Sequence, residues 1–303
     1  SMSQEIISRK AIIFGIIMLF VGASLIQQIQ TTVKADLTDG LISYWNFDEG
    51  SGTVAHDTSG FENDGDINSA TWTTGKDGTA LEITDSDYVG GISASFDDSI
   101  TTAFTVTAWV KWYGPSSYPH NCYIFDARGG ASTGDGFILY IDRASSKLRL
   151  SLNDIAGVQV SQSISTIPIG SWTHVAAVFD DSSNLCRLYI NSYLDNTSIL
   201  TQSYTQSSHQ PLIGNNHWLD GQWAPLNGIE DEVRIYNRIL AEDEIQELFI
   251  SSTLVGYWNF NEGNGNIAHD SSGNGNDGTV TGASWITGKD GTALEITDSD
   301  YVG

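Results

Sequence analysis

Residues 41–90 of this 303-residue chain recur at 254–303, a shift of 213 positions. "LISYWNFDEGSGTVAHDTSG" returns as "LVGYWNFNEGNGNIAHDSSG", about 35 of the 50 positions agree, and "TGKDGTALEITDSDYVG" is unchanged in both copies. The unit so defined is about 210 residues long, the size of a domain and far above the period of a solenoid. The chain therefore holds one full unit and the first quarter of another, as expected for a fragment of a longer tandem array. The incomplete copy lacks most of the residues that would form its own core, so it is expected to be poorly packed or to dock opportunistically.

Within the unit, period-two alternation recurs in "LISYWNF" (41–47), "TALEIT" (79–84), "FTVTAWVKWY" (104–113), "GFILYID" (136–142), "KLRLSL" (147–152), "WTHVAAVFD" (172–180), "CRLYIN" (186–191) and "DEVRIYN" (231–237). Asn, Asp, Gly and Ser cluster between these segments, and 31 glycines supply turns. Strands this numerous predict an all-β, two-sheet antiparallel jelly-roll sandwich. In "FTVTAWV", Phe104, Val106, Ala108 and Val110 share one face, and Thr105, Thr107 and Trp109 the other. One short helix is predicted over 241–250, with Glu242, Asp243 and Glu244 in the first turn, where the helix dipole favours them, and an apolar stripe of Ile245, Leu248 and Phe249. The domain reading is thus 36–250 for the full unit and 251–303 for the truncated repeat.

The formal charge of −24 repels phosphate backbones and makes nucleic acid an unsuitable partner. Carboxylates in such excess serve solubility, and some are in a position to hold calcium. Cys122 and Cys186 show no zinc spacing, and they could pair in an oxidising compartment. At the N-terminus, Arg9 and Lys10 precede the apolar run "AIIFGIIMLFVGASLI", and "VKA" at 33–35 suits a signal-peptidase cut before Asp36. The run is shorter than the ~20 residues of a spanning helix. Residues 1–35 therefore read as a signal peptide, with an uncleaved N-terminal membrane anchor as the alternative. Either places the remainder outside the cytoplasm, extracellular or at the cell surface.

The opening "YWNFDEGSG", the middle "FTVTAWVK", "GSWTHVAAVFD" and "CRLYIN", and the closing "NGIEDEVRIYNRILAEDEIQEL" occur in one order, and together they resemble the laminin G-like, concanavalin A-like jelly-roll family. The resemblance covers 39–250 and restarts at 254. It implies two antiparallel sheets, often a calcium ion at the sandwich edge, and roles in carbohydrate binding or adhesion. The family is functionally broad, so the ligand has to be argued from the site.

Calcium takes six to eight oxygens from carboxylates, carbonyls and waters. Asp57, Asn63 and Asp64 offer side-chain oxygens within one short loop, and Gly60 and Gly65 let its backbone fold back. The same Asp and Asn residues stabilise turns by bonding their own backbone, which is the plainer reading of the loop. In "GIEDEVRIY", Val233 and Ile235 mark an inward face, and strict alternation puts Asp231 beside them. An inward carboxylate needs a compensating charge. A calcium ion shared with Asp57 and Asp64 would provide it, and Arg128 or Arg187 is the rival partner. The resemblance adds that the first and last strands of such a unit lie close together. Asp270, Asn276 and Asp277 restate the pattern in the second copy without an Asp231 equivalent.

Sugar recognition needs flat aromatic faces flanked by hydrogen-bonding groups. "NNHWLDGQW" (215–223) supplies Asn216, His217, Trp218 and Trp223; "KWYGPSSYPHN" (111–121) supplies Trp112 and Tyr118; Arg128 in "DARGG" could reach a ligand or a carboxylate. Such aromatics also serve as packing under loops. Trp45, Trp109 and Trp172, in alternating strands, are expected in the core, and His56 is expected as a turn or packing residue. Asn196 in "NTS" matches a glycosylation acceptor.

Glucanases of this sandwich carry E-x-D-x-x-E on one strand, with two carboxylates about 5–5.5 Å apart. Neither that motif nor G-x-S-x-G or H-E-x-x-H occurs here. The expectation is a non-catalytic carbohydrate-binding or adhesion module stabilised by calcium, its partner a carbohydrate or glycoprotein. The alternatives are an accessory domain of a larger secreted glycoside hydrolase and a structural spacer in a cell-envelope array. Oligomeric state is not encoded in any feature of the sequence.

Overall fold

The computed structural model describes residues 36–303 apart from 85–86, 91–99, 101, 118, 129–133, 153–158, 202, 208, 217–223, 252–255, 272–274, 290 and 298. Residues 1–35, on which the expected signal peptide or anchor falls, lie outside the described residues.

Two eight-stranded antiparallel sheets form the sandwich. The first runs edge to edge through Tyr193–Ile199, Leu185–Ile190, Trp172–Asp180, Ala103–Trp112, Gly228–Tyr236, Thr79–Ile83 and Thr71–Thr74, and Leu41–Trp45 also pairs with Gly228–Tyr236. The second runs through Gln159–Thr166, Lys147–Leu152, Phe137–Ile141, Cys122–Asp126, Leu212–Ile213, Tyr88–Gly90, Gly65–Asn68 and Val54–Ala55. Gly228–Tyr236, the closing strand, therefore meets the opening strand Leu41–Trp45 directly. Between the sheets, Phe104 of the first stacks on Phe137 of the second at 4.2 Å, Phe137 on Phe125 at 5.7 Å, and Trp45 tilts against Phe125 at 6.3 Å. Phe104, Val106, Ala108 and Val110 all join this interior, as their alternation predicts.

The helix spans Glu242–Ser251 and covers the outer face of the first sheet. Its Glu244 accepts a hydrogen bond from the Ala241 amide at 2.7 Å and pairs with Arg238, which satisfies an N-terminal donor and anchors the first turn. Ile245 and Leu248 pack with Ala176, Val178, Tyr189 and Tyr236, while Phe249 stacks on Trp109 at 5.4 Å. Trp109 is thus buried, but under the helix and not between the sheets. Trp45 is fully buried in the interior, whereas Trp172 is only half-buried. Cys122 and Cys186 are both buried and unbridged.

The second copy reproduces short strands at Ile267–Ala268, Gly278–Thr281, Ser284–Thr287, Thr292–Glu295 and Tyr301–Val302. Trp258 there is 39% exposed, while its counterpart Trp45 is at 0%.

Candidate functional site

The loop after the opening strand is organised by one carboxylate. Asp57 Oδ1 accepts hydrogen bonds from the Tyr44 and Ser59 amides at 2.8 and 2.9 Å, and Oδ2 accepts from Ser59 Oγ and the Asn63 amide at 2.8 and 3.0 Å. A carboxylate offers about four lone-pair sites, and these four bonds use them. Asn63 turns its amide inward to the Ile42 carbonyl and Ser43 Oγ. Asp64 accepts from the Asp57 amide at 2.8 Å and meets His56 Nδ1 at 3.0 Å. The second copy repeats these bonds through Tyr257, Asp270, Asn276, Asp277 and His269. The network is therefore encoded locally and forms without a sandwich above it.

Asp231 lies on the closing strand and serves a different loop. Its Oδ2 accepts from the Lys76 and Asp77 amides at 2.8 and 3.1 Å. That turn needs glycine at 78: φ is +52°, and a Cβ there would sit 1.9 Å from Asp48 Oδ1. Strict alternation misplaces Asp231, because a β-bulge between Asp231 and Arg234, with Glu232 at φ +56°, reverses the phase of the strand. Asp231 pairs with Trp109 and faces outward. Glu230 takes the inward side, opposite the core residues Val110 and Leu81. Neither of its carboxyl oxygens has a hydrogen-bond partner. Burial, reinforced by the neighbouring Asp231 charge, pushes the Glu230 carboxyl well above the usual carboxylate range. Burial, then the Glu232 charge, raises Asp231 to about 8 against the pull of nearby amides. Glu232 is neutralised by Arg234 at 2.5 Å and accepts from Tyr44 Oη at 2.8 Å, while Arg234 lies 3.8 Å from the Tyr44 ring. His174, behind Trp109, is held neutral by burial, its pKa lowered to about 3.

The four predicted calcium ligands are thus divided: Asp57, Asn63 and Asp64 share one loop, and Asp231 on the closing strand binds another. Among the described residues no three His, Cys, Asp or Glu side chains converge as a metal site requires. The Asp57 loop does not fit the ion, because its lone pairs are already committed. Asp231 retains one buried, unbonded oxygen, Oδ1.

On the second sheet, Tyr123 and Tyr140 are cross-strand partners whose rings stack at 5.5 Å, in a cluster with Ile138 and Ala224 that is separate from the interior. Arg128 lies over Tyr123 at 5.4 Å and grips Asp126 through Nε and Nη2 at 2.9 and 2.7 Å, with both residues buried. Arg128 therefore answers Asp126 and not Asp231. The Asn215 side chain accepts from the Asn216 and Ala224 amides at 2.9 Å each and donates to the Asp87 carbonyl at 3.0 Å, joining the described residues on either side of 217–223. Asn216 is 2% exposed, and neither atom of its side-chain amide has a partner. Trp112 is a correction to the ligand set: it is fully buried in the interior, because it continues the inward phase of Phe104, Val106, Ala108 and Val110. Tyr118, His217, Trp218 and Trp223 lie outside the described residues. Sequence reading missed Asp126, Tyr123, Tyr140 and Glu230. The alternation of "CYIFDA" already contained the first two, but its bulge between Tyr123 and Phe125 did not show.

A sequence profile described as the concanavalin A-like lectin/glucanases superfamily matches residues 84–246, more than half of the chain. The chain belongs to that superfamily. No curated protein matches it. Among solved structures, domain 4 of AbnA, a GH43 extracellular arabinanase from Geobacillus stearothermophilus in complex with arabinotriose, is similar at TM-score 0.54 and 20% identity, covering 69% of this chain and 97% of that domain. A botulinum neurotoxin type C structure, titled for its interaction with two ganglioside molecules, is similar at TM-score 0.51 and 15% identity, covering 73% of this chain and 54% of that one. A Trypanosoma rangeli sialidase in complex with the inhibitor DANA is similar at TM-score 0.55 and 16% identity, covering 76% and 36%. These structures include both binding domains and enzymes, and at such identities the likeness is one of fold alone.

Proposed function

We propose that this superfamily member is a secreted or cell-surface module that binds carbohydrate, free or on a glycoprotein, without cleaving it. The observation that carries the reading is the Asn215 hydrogen-bond network on either side of residues 217–223. Asn215 ties residues 216 and 224 together, on either side of a segment whose sequence holds Trp218 and Trp223. The Tyr123 amide donates to the Ala224 carbonyl at 3.3 Å, and the Tyr123–Tyr140 pair is buried, so it supports this network and leaves sugar stacking to the two tryptophans of the segment. Aromatic faces beside unsatisfied polar groups on a fixed scaffold are what a sugar site needs. Similarity to an arabinanase domain bound to arabinotriose supports the ligand class. The apolar run behind Arg9 and Lys10 supports export. On a glycan array the chain is expected to be retained on a subset of glycans, and Trp218→Ala should weaken that retention roughly tenfold or more, the loss of one stacking face. Unchanged retention in Trp218→Ala would remove this loop from the site.

A second reading, an accessory domain of a larger secreted hydrolase, is favoured by the near-complete coverage of the arabinanase domain. It makes the same binding prediction and adds a catalytic domain in the full reading frame.

Calcium is proposed as a structural ion on Asp231, through the oxygen that takes no hydrogen bond, and not on Asp57. When bound, it would supply the positive charge that lets Asp231 stay ionised. Chelator should lower the melting temperature of the wild type by several degrees and leave Asp231→Asn unmoved. Absence of a chelator effect on the wild type would retire the ion.

A further inference from the structure

Four outward side chains at one end of the first sheet form a row fixed by register. Trp172 pairs with Lys111, Lys111 with Ile229, and Ile229 with Glu82, one residue from each of four neighbouring strands. Their sequence neighbours Val110, Trp112, Leu81 and Ile83 lie in the interior, so alternation turns this row to the outer face. The helix covers the same face further along, where Phe249 stacks on Trp109. Trp172 and Lys111 are half-buried.

Tyr113 leans over this row. It follows directly on the strand of Lys111, yet its hydroxyl donates to Glu82 Oε1 at 2.8 Å, two strands away. The ring therefore lies across the closing strand between them. Its backbone is held as well: the Tyr113 amide donates to the Asn227 carbonyl at 2.9 Å, and the Asn227 side chain donates to the Gly114 carbonyl at 2.8 Å. Tyr113 is nevertheless 40% exposed. An open ring tethered at both ends loses little freedom when a ligand stacks on it. Trp112, expected to carry ligand contacts in this stretch, turns inward, and Tyr113 and Lys111 beside it face outward.

The charges on the row select a ligand class. Lys111 enters no ion pair among the described residues, and Glu82 commits one oxygen to Tyr113. Two strand spacings put their backbones about 10 Å apart, with the ring between them. The ammonium offers donors and the carboxylate acceptors. Their charges cancel, and the formal charge of −24 disfavours an anionic ligand. An aromatic face between one donor and one acceptor matches a neutral sugar, which has a C–H face to stack and hydroxyls on its rim.

We infer that Tyr113, Lys111, Glu82 and Trp172 form a binding platform for a neutral saccharide on the outer face of the first sheet. The inference rests on the carbohydrate reading above, but on residues separate from 217–223. Tyr113 stacks on one sugar ring, Lys111 donates to its hydroxyls and Glu82 accepts from them. Trp172, beyond Lys111 in the row, serves the next sugar of the same chain.

The test is an array of neutral and acidic glycans read with the whole chain and with Tyr113→Ala, Lys111→Met, Trp172→Ala and Trp218→Ala, each checked for folding by its thermal melt. The wild type should be retained on neutral glycans, and Tyr113→Ala should weaken that retention roughly tenfold or more. Lys111→Met, at a half-buried surface position, should weaken it about tenfold and decides the matter if Tyr113→Ala does not fold. Trp172→Ala should weaken retention of glycans of several sugars more than that of single sugars. Loss in Trp218→Ala with retention unchanged in Tyr113→Ala and Lys111→Met overturns the platform and leaves the carbohydrate reading standing. The reverse pattern supports the platform and removes residues 217–223 from the site. Retention confined to acidic glycans overturns the platform as a neutral site, and no retention of the wild type on any glycan overturns both.

Discussion

Arg128→Ala should destabilise the sandwich by about 3–5 kcal/mol, read as a fall in the urea midpoint followed by tryptophan fluorescence. The side chain is 2% exposed and its partner Asp126 is fully buried. Two parallel bonds of 2.9 and 2.7 Å join them, and the Arg128 amide donates to the same carboxylate at 3.0 Å. Removing the guanidinium takes both side-chain bonds from the buried carboxyl and leaves that amide as the bond remaining within the pair. Asp126→Ala takes the same two bonds from the buried cation. The two losses should be strongly non-additive: Arg128→Met combined with Asp126→Leu should cost less than either truncation alone, because the buried charge vanishes with both partners. If Arg128 instead served a ligand from a tolerant position, its loss would cost under about 1 kcal/mol and show in binding alone.

Glu230→Gln should stabilise the protein at pH 8 by about 2 kcal/mol and be nearly neutral at pH 5, measured by urea unfolding in chelator-containing buffer. The sign follows from proton counts. Glu230 and Asp231 are both raised in the folded state. Above the ordinary carboxylate pKa the unfolded chain has released protons that the folded chain still holds, so stability declines with rising pH, for Asp231 until about 8. His174, lowered to about 3 and buried, works in the other direction below its ordinary value of 6.5, where only the unfolded chain protonates. Asp142, Asp180 and Glu244 are lowered, so their contribution is lost only further into acid. Wild-type stability should therefore be highest near about pH 4–5 and decline toward pH 8, by up to ~1.4 kcal/mol per pH unit for each of the two raised carboxyls, with His174 offsetting one of them below pH 6.5. The double variant Glu230→Gln, Asp231→Asn should flatten the alkaline limb. A wild-type stability that rises from pH 6.5 to 8 would show that these carboxyls are solvated or paired.

The alternation of side chains carried most of the fold. "KLRLSL" and "WTHVAAVFD" are strands over the predicted residues, and the helix sits one position from its predicted span. These segments follow an unbroken period, so local pattern and tertiary burial agree. The candidate site was less legible, because its key features are breaks in period. A single inserted residue at Glu232 sends Asp231 outward and Glu230 inward, and composition gives no warning of it. Asp57 has the residue neighbourhood of a calcium loop, but what it does depends on where four donors from Tyr44, Ser59 and Asn63 end up. Trp112 looked like a loop aromatic because Tyr113 and Gly114 follow it, although its parity with Val110 already pointed inward.

Prolonged incubation of the chain with a glycan that retains it separates recognition from chemistry. Calorimetry should show saturable binding in the micromolar-to-millimolar range, and the recovered glycan should be unchanged in length with no new reducing ends. Catalytic shortening of the glycan, or failure to bind any glycan on the array, would contradict recognition without cleavage.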